Sequence, residues 1–289
     1  MNYIYHLLIY LDIYIIIAMS LNLLMGYGGL LQVAHAAYYG IGAYTTALLM
    51  VKLGWGFIPA IILSSIVSGI LSLLVSLPAW RFKGDYFVML SLSVQVAIYS
   101  LLYNWTDLTN GPFGITGIQR PVILGYKFDT IHSIFLLSTG FAVLCGVIMF
   151  ILLNSPWGRA LKAMRDDELA ARGLGKNTRL LKLQAFLIAC SMVAVSGGLY
   201  ATYVSYIDPT SFTLDESILM ISMVIIGGTG NFRGPIVGAL ILIAIPEILR
   251  FLHIPDTIAA NVRLLAYGLL LIIIVHLRPQ GLAGEYRFK

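Results

Sequence analysis

Long apolar runs separated by short polar turns fill this chain from end to end. An α-helix rises about 1.5 Å per residue, so roughly 20 consecutive apolar residues cross a hydrocarbon core of about 30 Å. By that rule the pattern predicts spanning helices over 4–25, 30–51, 57–79, 85–104, 131–153, 182–206, 215–229, 235–252 and 260–277. The fold class expected is all-α, a polytopic helical membrane protein with about nine transmembrane helices, eight to ten being compatible with the pattern. The seventh run is short. Its break at Gly227-Gly228-Thr229-Gly230-Asn231 is placed where a segment could re-enter the membrane without crossing it.

Composition sharpens this picture. Of 289 residues, 59% are hydrophobic and only 11% charged, and the mean hydropathy is +0.90. A soluble domain carries about 25% charged residues, so a water-soluble fold is excluded, and most soluble enzyme classes with it. The apolar run from Ile4 to Met25 lacks a basic stretch before it and exceeds a signal-peptide core, so it is expected to be a retained span. Cys145 and Cys190 both lie inside apolar runs and read as small buried hydrophobes.

The net charge of +5 matters through its distribution. With nine spans, one set of loops holds Arg81, Lys83, the cluster from Arg159 to Lys182, Arg233, Arg278, Arg287 and Lys289. The opposite set and its span ends hold Lys52, Arg120, Lys127, Arg250 and Arg263. Thirteen basic residues against five make the first set cytoplasmic. The protein is then expected in the cell (inner or plasma) membrane, its N-terminus outside and its C-terminus in the cytoplasm.

Within the second run, Ala36 with Gly40 and Ala43 with Ala47 stand four residues apart on a helix. Small residues at that spacing let helices pack closely in lipid. The same stretch carries Gln32 and His35, and polar groups in a span usually face a cavity or a polar partner. Tight packing and a lining for a translocation path therefore stay open side by side. Gly26-Tyr27-Gly28-Gly29 has an echo in Gly227-Gly228-Thr229-Gly230, and paired glycine-rich breaks are a mark of transporter repeats. The orientation puts both on one side, which does not suit an inverted repeat.

The segment 154–181 is the one long, strongly charged stretch. Ser155 is placed to cap a helix and Pro156 to open it, while Glu168 and Arg172 stand one turn apart. A single short surface helix over 157–172 is expected, ended by Gly173 or Gly175. A loop that only fixes topology needs positive charge, not a capped helix with three consecutive acids.

The motifs GRALKAMRDDELAARGLG, KLQAFLIACSMVAVSGGLYA, GGTGNFRGPIVGA and PEILR follow in order from Gly158 to Arg250, preceded by GYGGLLQVAHAAYYGIGAY and NWTDLTNGPFGITGI. From about Leu21 to Gly281 the chain resembles permeases of branched-chain amino acid ABC transporters, of the LivM type. One departure is Gln32-Val33-Ala34, where such permeases more often carry Ser-Leu-Gly before the histidine. The resemblance implies a single transmembrane permease domain over 1–289, with 154–181 as the loop that couples it to an ATPase. The coupling residues it implies are Gly158, Arg159, Leu161, Met164, Arg165, Asp167, Glu168 and Gly173. Gln32 and His35 become candidates for the substrate path, with Asn110, Gly111 and Gly114 at its outer entrance. A second permease subunit, two cytoplasmic ATPase subunits and an extracytoplasmic solute-binding protein are the partners implied.

No G-x-x-x-x-G-K-[ST] loop occurs in the sequence, so ATP chemistry is expected from another chain and no cofactor is called for. The five histidines, His6, His35, His132, His253 and His276, are scattered singly, which gives no catalytic or metal constellation. Nothing points to nucleic acid. The function expected is ATP-driven uptake of branched-chain amino acids. Urea or a short amide is the alternative cargo, and an ion-coupled carrier using Asp12 or Glu247 is the rival from another class.

Overall fold

The computed structural model describes residues 2–82, 84–123, 125–251, 256–278 and 280–283. Lys83, His253, Arg287 and Lys289, and the side chains of Arg250 and Arg263, lie outside the described residues. Helix α1 runs over Asn2–Asn22 and continues through a wider π turn at Leu23–Tyr27. Then come α2 (His35–Lys52), α3 (Phe57–Leu71), α4 (Leu73–Ser76), α5 (Asp85–Asn104) and α6 (Thr106–Thr109). Three two-residue strands follow, β1 (Ile115–Thr116), β2 (Val122–Ile123) and β3 (Tyr126–Lys127). The chain goes on with α7 (Ile131–Asn154), α8 (Pro156–Asp166), α9 (Glu168–Gly173) and α10 (Thr178–Val204). It finishes with β4 (Tyr206–Ile207), α11 (Leu214–Gly227), α12 (Gly234–Phe251) and α13 (Asp256–Leu277).

The fold is all-α, its strands confined to two small antiparallel ladders that tie down loops: β1 with β4, Ile115 opposite Ile207, and β2 with β3. Among the described residues, five helical stretches are long and apolar enough to cross a membrane: Tyr3–Tyr27, Phe57–Trp80, Asp85–Asn104, Ile131–Asn154 and Thr178–Val204. Four of the nine expected runs are not among these five, the second, the seventh and the last two, whose described apolar parts are Gly234–Glu247 and Leu265–Ile274. The second becomes a helix only at His35, because the chain turns at Gly28 and at Gly29 (φ +67°) and stays irregular to Ala34. Gln32 therefore precedes the helix and does not ride on it. The seventh is α11, whose 14 residues rise only about 21 Å, short of a full hydrocarbon core.

Helix α1 is central. It packs against α7, α10, α11 and α12, and its Ile9, Ile13, Ile16 and Ile17 are fully buried. Helices α2 and α10 make the most extensive contact in the protein, with α3 against both. Small residues make that contact possible. A Cβ on Gly42 would stand 2.4 Å from the Ala194 Cα, and one on Gly197 would stand 2.3 Å from the Tyr39 carbonyl oxygen. Ala36, Ala43 and Ala47 are also fully buried, and Gly40 lies against the Phe212 ring. The small-residue stripe of α2 is thus a packing surface, as GxxxG-type spacing permits. Cys145 and Cys190 are both buried and unpaired by disulfide.

Gly197→Val forces a side chain into the backbone of α2, and overpacking of this kind costs about 1–3 kcal/mol. The variant is expected to unfold at lower temperature than the parent in detergent thermal melts, whereas Gly140→Ala, which meets nothing within 4 Å, should melt like the parent.

Candidate functional site

The irregular entry into α2 leaves backbone N–H groups without helical partners in a region that excludes water. In hydrocarbon each such group needs a partner. Three side chains from other helices supply them. The Ala36 N–H donates to Ser217 Oγ of α11 at 3.0 Å and the Ala37 N–H to Gln95 Oε1 of α5 at 2.8 Å. The Val33 N–H donates to Ser91 Oγ at 3.0 Å. Gln95 also accepts from Ser217 Oγ at 3.2 Å and donates from Nε2 to the Phe212 carbonyl at 2.9 Å. One glutamine therefore joins the starts of α2 and α11 to α5.

His35, the first residue of α2, is fully buried with both ring nitrogens engaged. Nδ1 faces Gln32 Nε2 at 2.8 Å and Nε2 faces Ser20 Oγ at 2.8 Å. The Gln32 amide can donate to Nδ1, Nε2–H to Ser20, and Ser20 Oγ donates to the Ile17 carbonyl at 2.8 Å. That order of donors fits a neutral imidazole. The structure thus brings Gln32 and His35 together as one network under α1. Gln32 Oε1 is buried with no partner in it.

The two glycine-rich breaks meet. A Cβ on Gly26 would lie 2.3 Å from the Gly230 nitrogen, so only glycine lets the segments touch. Asn22, just before the first break, clasps the second: Oδ1 accepts from the Gly230 N–H at 3.1 Å and Nδ2 donates to the Asn231 carbonyl at 2.9 Å. The echo seen in the sequence is a physical contact on one side of the molecule.

The charged segment docks beneath these breaks. Ser155 caps α8 through Gly158 N–H at 3.3 Å, with Pro156 at the first turn. Gly158 is required by the tight corner, since a Cβ there would meet the Leu153 carbonyl at 2.4 Å. The single helix expected over 157–172 is in fact two. Asp167 leaves helical geometry (φ −151°) and caps α9 by accepting from the Leu169 and Ala170 N–H groups at 2.8 and 3.0 Å. An aspartate satisfies two free donors at once, which favours the break. Arg165 donates from Nη1 to the Gly26 carbonyl at 2.6 Å and pairs with Asp166 at 2.8 Å. Glu168 pairs with Arg172 at 2.6 Å and with Lys182 of α10 at 3.2 Å. Trp157 donates to Gln184 of α10 at 2.9 Å, and Arg159 to the Asn154 carbonyl at 3.0 Å. Gly173 ends α9 with open space around it.

Leu161 and Met164, expected among the residues that couple to an ATPase, are 0% and 3% exposed, so their side chains are buried within this chain and are not free to meet a partner. Each contributes about 1.5–3 kcal/mol to holding α8 in place. Leu169 and Leu174 face outward instead. Between α8, α10, the start of α5 and the Gly28–Gly29 turn lies a cavity of about 590 Å³, lined in part by Asp85, Arg165, Glu168 and Lys182.

Asn110, Gly111 and Gly114 form one tight turn at the other end of the molecule. Asn110 (φ +63°) donates from Nδ2 to the Gly114 carbonyl at 2.9 Å. Gly114 has φ +65° and presses on the next strand, since a Cβ there would meet the Ile207 carbonyl at 2.1 Å. They lie apart from the Gln32–His35 network. A second cavity of about 530 Å³ is lined by His6, Tyr10, Arg120, Asp129, Tyr203 and their neighbours.

Sequence reasoning missed Asn22, Gln95, Ser217 and Glu216. Asn22 and Gln95 are polar residues within apolar runs and Glu216 and Ser217 follow Asp215 at the edge of one, a signal that was available, but their partners stand 58 or more residues away. Among the described residues, no group of three or more His, Cys, Asp or Glu gathers as a metal site. Gln95→Leu orphans the Ala37 N–H and the Phe212 carbonyl, at about 1–3 kcal/mol for each buried group. The variant is expected to melt well below the parent, and Gln95→Glu closer to it, in detergent thermal-shift measurements.

The model of the family described as branched-chain amino acid transport system / permease component matches residues 3–275. The high-affinity branched-chain amino acid transport system permease protein LivM of Salmonella typhimurium is 32% identical, over 93% of this chain and 67% of that protein. LivM of Escherichia coli K12 is 31% identical over the same shares. The LivH permease protein of the same-named system in Escherichia coli K12 is 24% identical over 94% of this chain and 91% of its own. With nearly its whole length matched and relatives above 30% identity, the chain belongs to the branched-chain amino acid transport permease family, a family of multi-pass membrane proteins.

Proposed function

We propose that this chain is the membrane-spanning permease subunit of an ABC importer that takes up branched-chain amino acids, driven by ATP hydrolysed on partner subunits. The observation that carries the proposal is the docked pair α8–α9. Its underside, Leu161 and Met164, is built into the permease core, while Leu169 and Leu174 are 73% and 79% exposed beside it. An apolar pair so exposed on an otherwise charged face suits a groove in a rigid partner. Arg159, Arg165, Asp167, Glu168 and Gly173 hold the element in shape, so a push on it passes directly to the glycine contact at Gly26 and Gly230 and to α10. Rigid elements packed this way switch between discrete arrangements.

Two permease proteins, LivM and LivH, carry the same system name in Escherichia coli K12. That supports a second permease beside this chain, with two ATPase subunits and an extracytoplasmic binding protein completing the importer. The turn at Asn110, Gly111 and Gly114 belongs to the face that meets the binding protein. About nine membrane crossings, N-terminus outside and C-terminus inside, complete the proposal, and Gln32 and His35 shape the substrate path from behind its wall.

Orientation is checked by cysteine labelling, helped by the burial of both native cysteines. A cysteine at the exposed Lys176 should react only with reagent on the cytoplasmic side, and one at the exposed Tyr126 only from outside. Labelling of both from one side overturns the orientation. Coupling is checked in the reconstituted complex. Leu169→Asp with Leu174→Asp is expected to leave insertion and thermal stability intact while removing ATP-driven leucine uptake and the permease's stimulation of ATPase activity. Leu161→Asp is expected instead to lower the melting temperature. Normal uptake by the Leu169/Leu174 double variant would sink the coupling role.

A further inference from the structure

Helix α11 starts deep in the protein. Its Glu216 is met by Tyr14, near the middle of α1, whose hydroxyl donates to Glu216 Oε1 at 2.7 Å. A carboxylate in a membrane span is costly and is usually paired or functional. Glu216 has no basic partner among the described residues. Its first-turn position suits the helix dipole, but a dipole does not require open space, and this carboxylate has it. Oε2 accepts no hydrogen bond among the described residues, yet it is absent from the buried atoms that lack partners, so one side of the carboxylate stays open. Glu216 and Tyr14 are half-buried, while Ile13, Ile16 and Ile17 of α1 are sealed.

Aromatic rings cluster beside it, from the buried Tyr39 outward. Tyr39 and Tyr200 lie within electrostatic reach of the carboxylate and have ring centroids 5.6 Å apart. Tyr10 stands over Tyr200 at 6.5 Å and over Tyr203 at 5.7 Å. Tyr10 and Tyr203 also line the cavity of about 530 Å³ at that end of the molecule. Because α11 begins only at Leu214, the space between α1 and α10 on that side is left to these side chains.

A half-buried carboxylate with tyrosines beside it and no basic partner among the described residues suits a small organic cation, through charge-assisted hydrogen bonds to the acid and cation–π contact with the rings. We propose that Glu216, with Tyr14, Tyr39 and Tyr200 around it, binds the ammonium group of the transported amino acid on its way from the outer cavity. The inference rests on the amino-acid importer reading and adds to it the group that the permease itself recognises. A neutral cargo such as urea or an amide offers no cation to this site.

The test uses the complete complex in vesicles with saturating binding protein and radiolabelled leucine, alongside basal ATPase activity and gel filtration. Glu216→Gln keeps shape and removes charge. It is expected to lower leucine uptake about tenfold or more, the equivalent of losing a charged hydrogen bond, with assembly and basal ATPase unchanged. Glu216→Asp should retain part of the uptake. Tyr200→Phe keeps the ring and should transport like the parent, whereas Tyr200→Leu should fall several-fold. Uptake by Glu216→Gln equal to the parent's, or loss of uptake accompanied by loss of the assembled complex, overturns the proposal. So does equal transport by Tyr200→Phe and Tyr200→Leu. If the parent complex carries urea or a short amide but no leucine, the importer reading for amino acids fails first, and the ammonium site falls with it.

Discussion

The constraint on which this structure turns is that hydrocarbon offers no water to an unpaired peptide group. A protein made only of uninterrupted spanning helices meets it automatically. This one does not, because α2 begins at His35 and α11 at Leu214, both after irregular chain. The free donors at the start of α2 are met by Ser91, Gln95 and Ser217, each on a helix other than α2. Those bonds fix α5 and α11 around the start of α2. Irregular backbone at depth is tolerated only where protein surrounds it or a cavity borders it, and both conditions hold here.

The same economy shapes the end that carries the charged loop. Gly26 and Gly230 touch because neither has a side chain, and the Asn22 amide satisfies the backbone groups exposed by the second break. Arg165 reaches up from α8 to the Gly26 carbonyl. The charged loop is therefore part of the folded core, joined to the two places where the helices are interrupted and to α10 through Glu168 and Lys182. A force applied to α8–α9 has no slack to take up before it reaches those points.

The two ends of the molecule differ in chemistry. The cavity under the glycine turn mixes Asp85, Arg165, Glu168 and Lys182, charges that largely answer one another. At the other end an aromatic cluster stands beside Glu216, which has no basic partner among the described residues.

The sequence by itself determined the membrane class, most helix positions and the capped, charged loop, because hydropathy, Ser155-Pro156 and the charge bias act locally. It also carried the family motifs. It could not say that Leu161 and Met164 face inward, since helical periodicity identifies an apolar face and not the partner that covers it. Asp167 as the cap that splits α8 from α9 was legible only in outline, because three consecutive acids each qualify. Whether the small residues of α2 packed or lined a path was decided by α10 lying against Gly42 through Ala194 and Gly197. Gln95, Ser217, Asn22 and Glu216 gained their meaning only from partners far away in the chain. A hydrogen bond between residues some 60 to 200 positions apart is set by how helices are arranged, and the tertiary structure alone decides that.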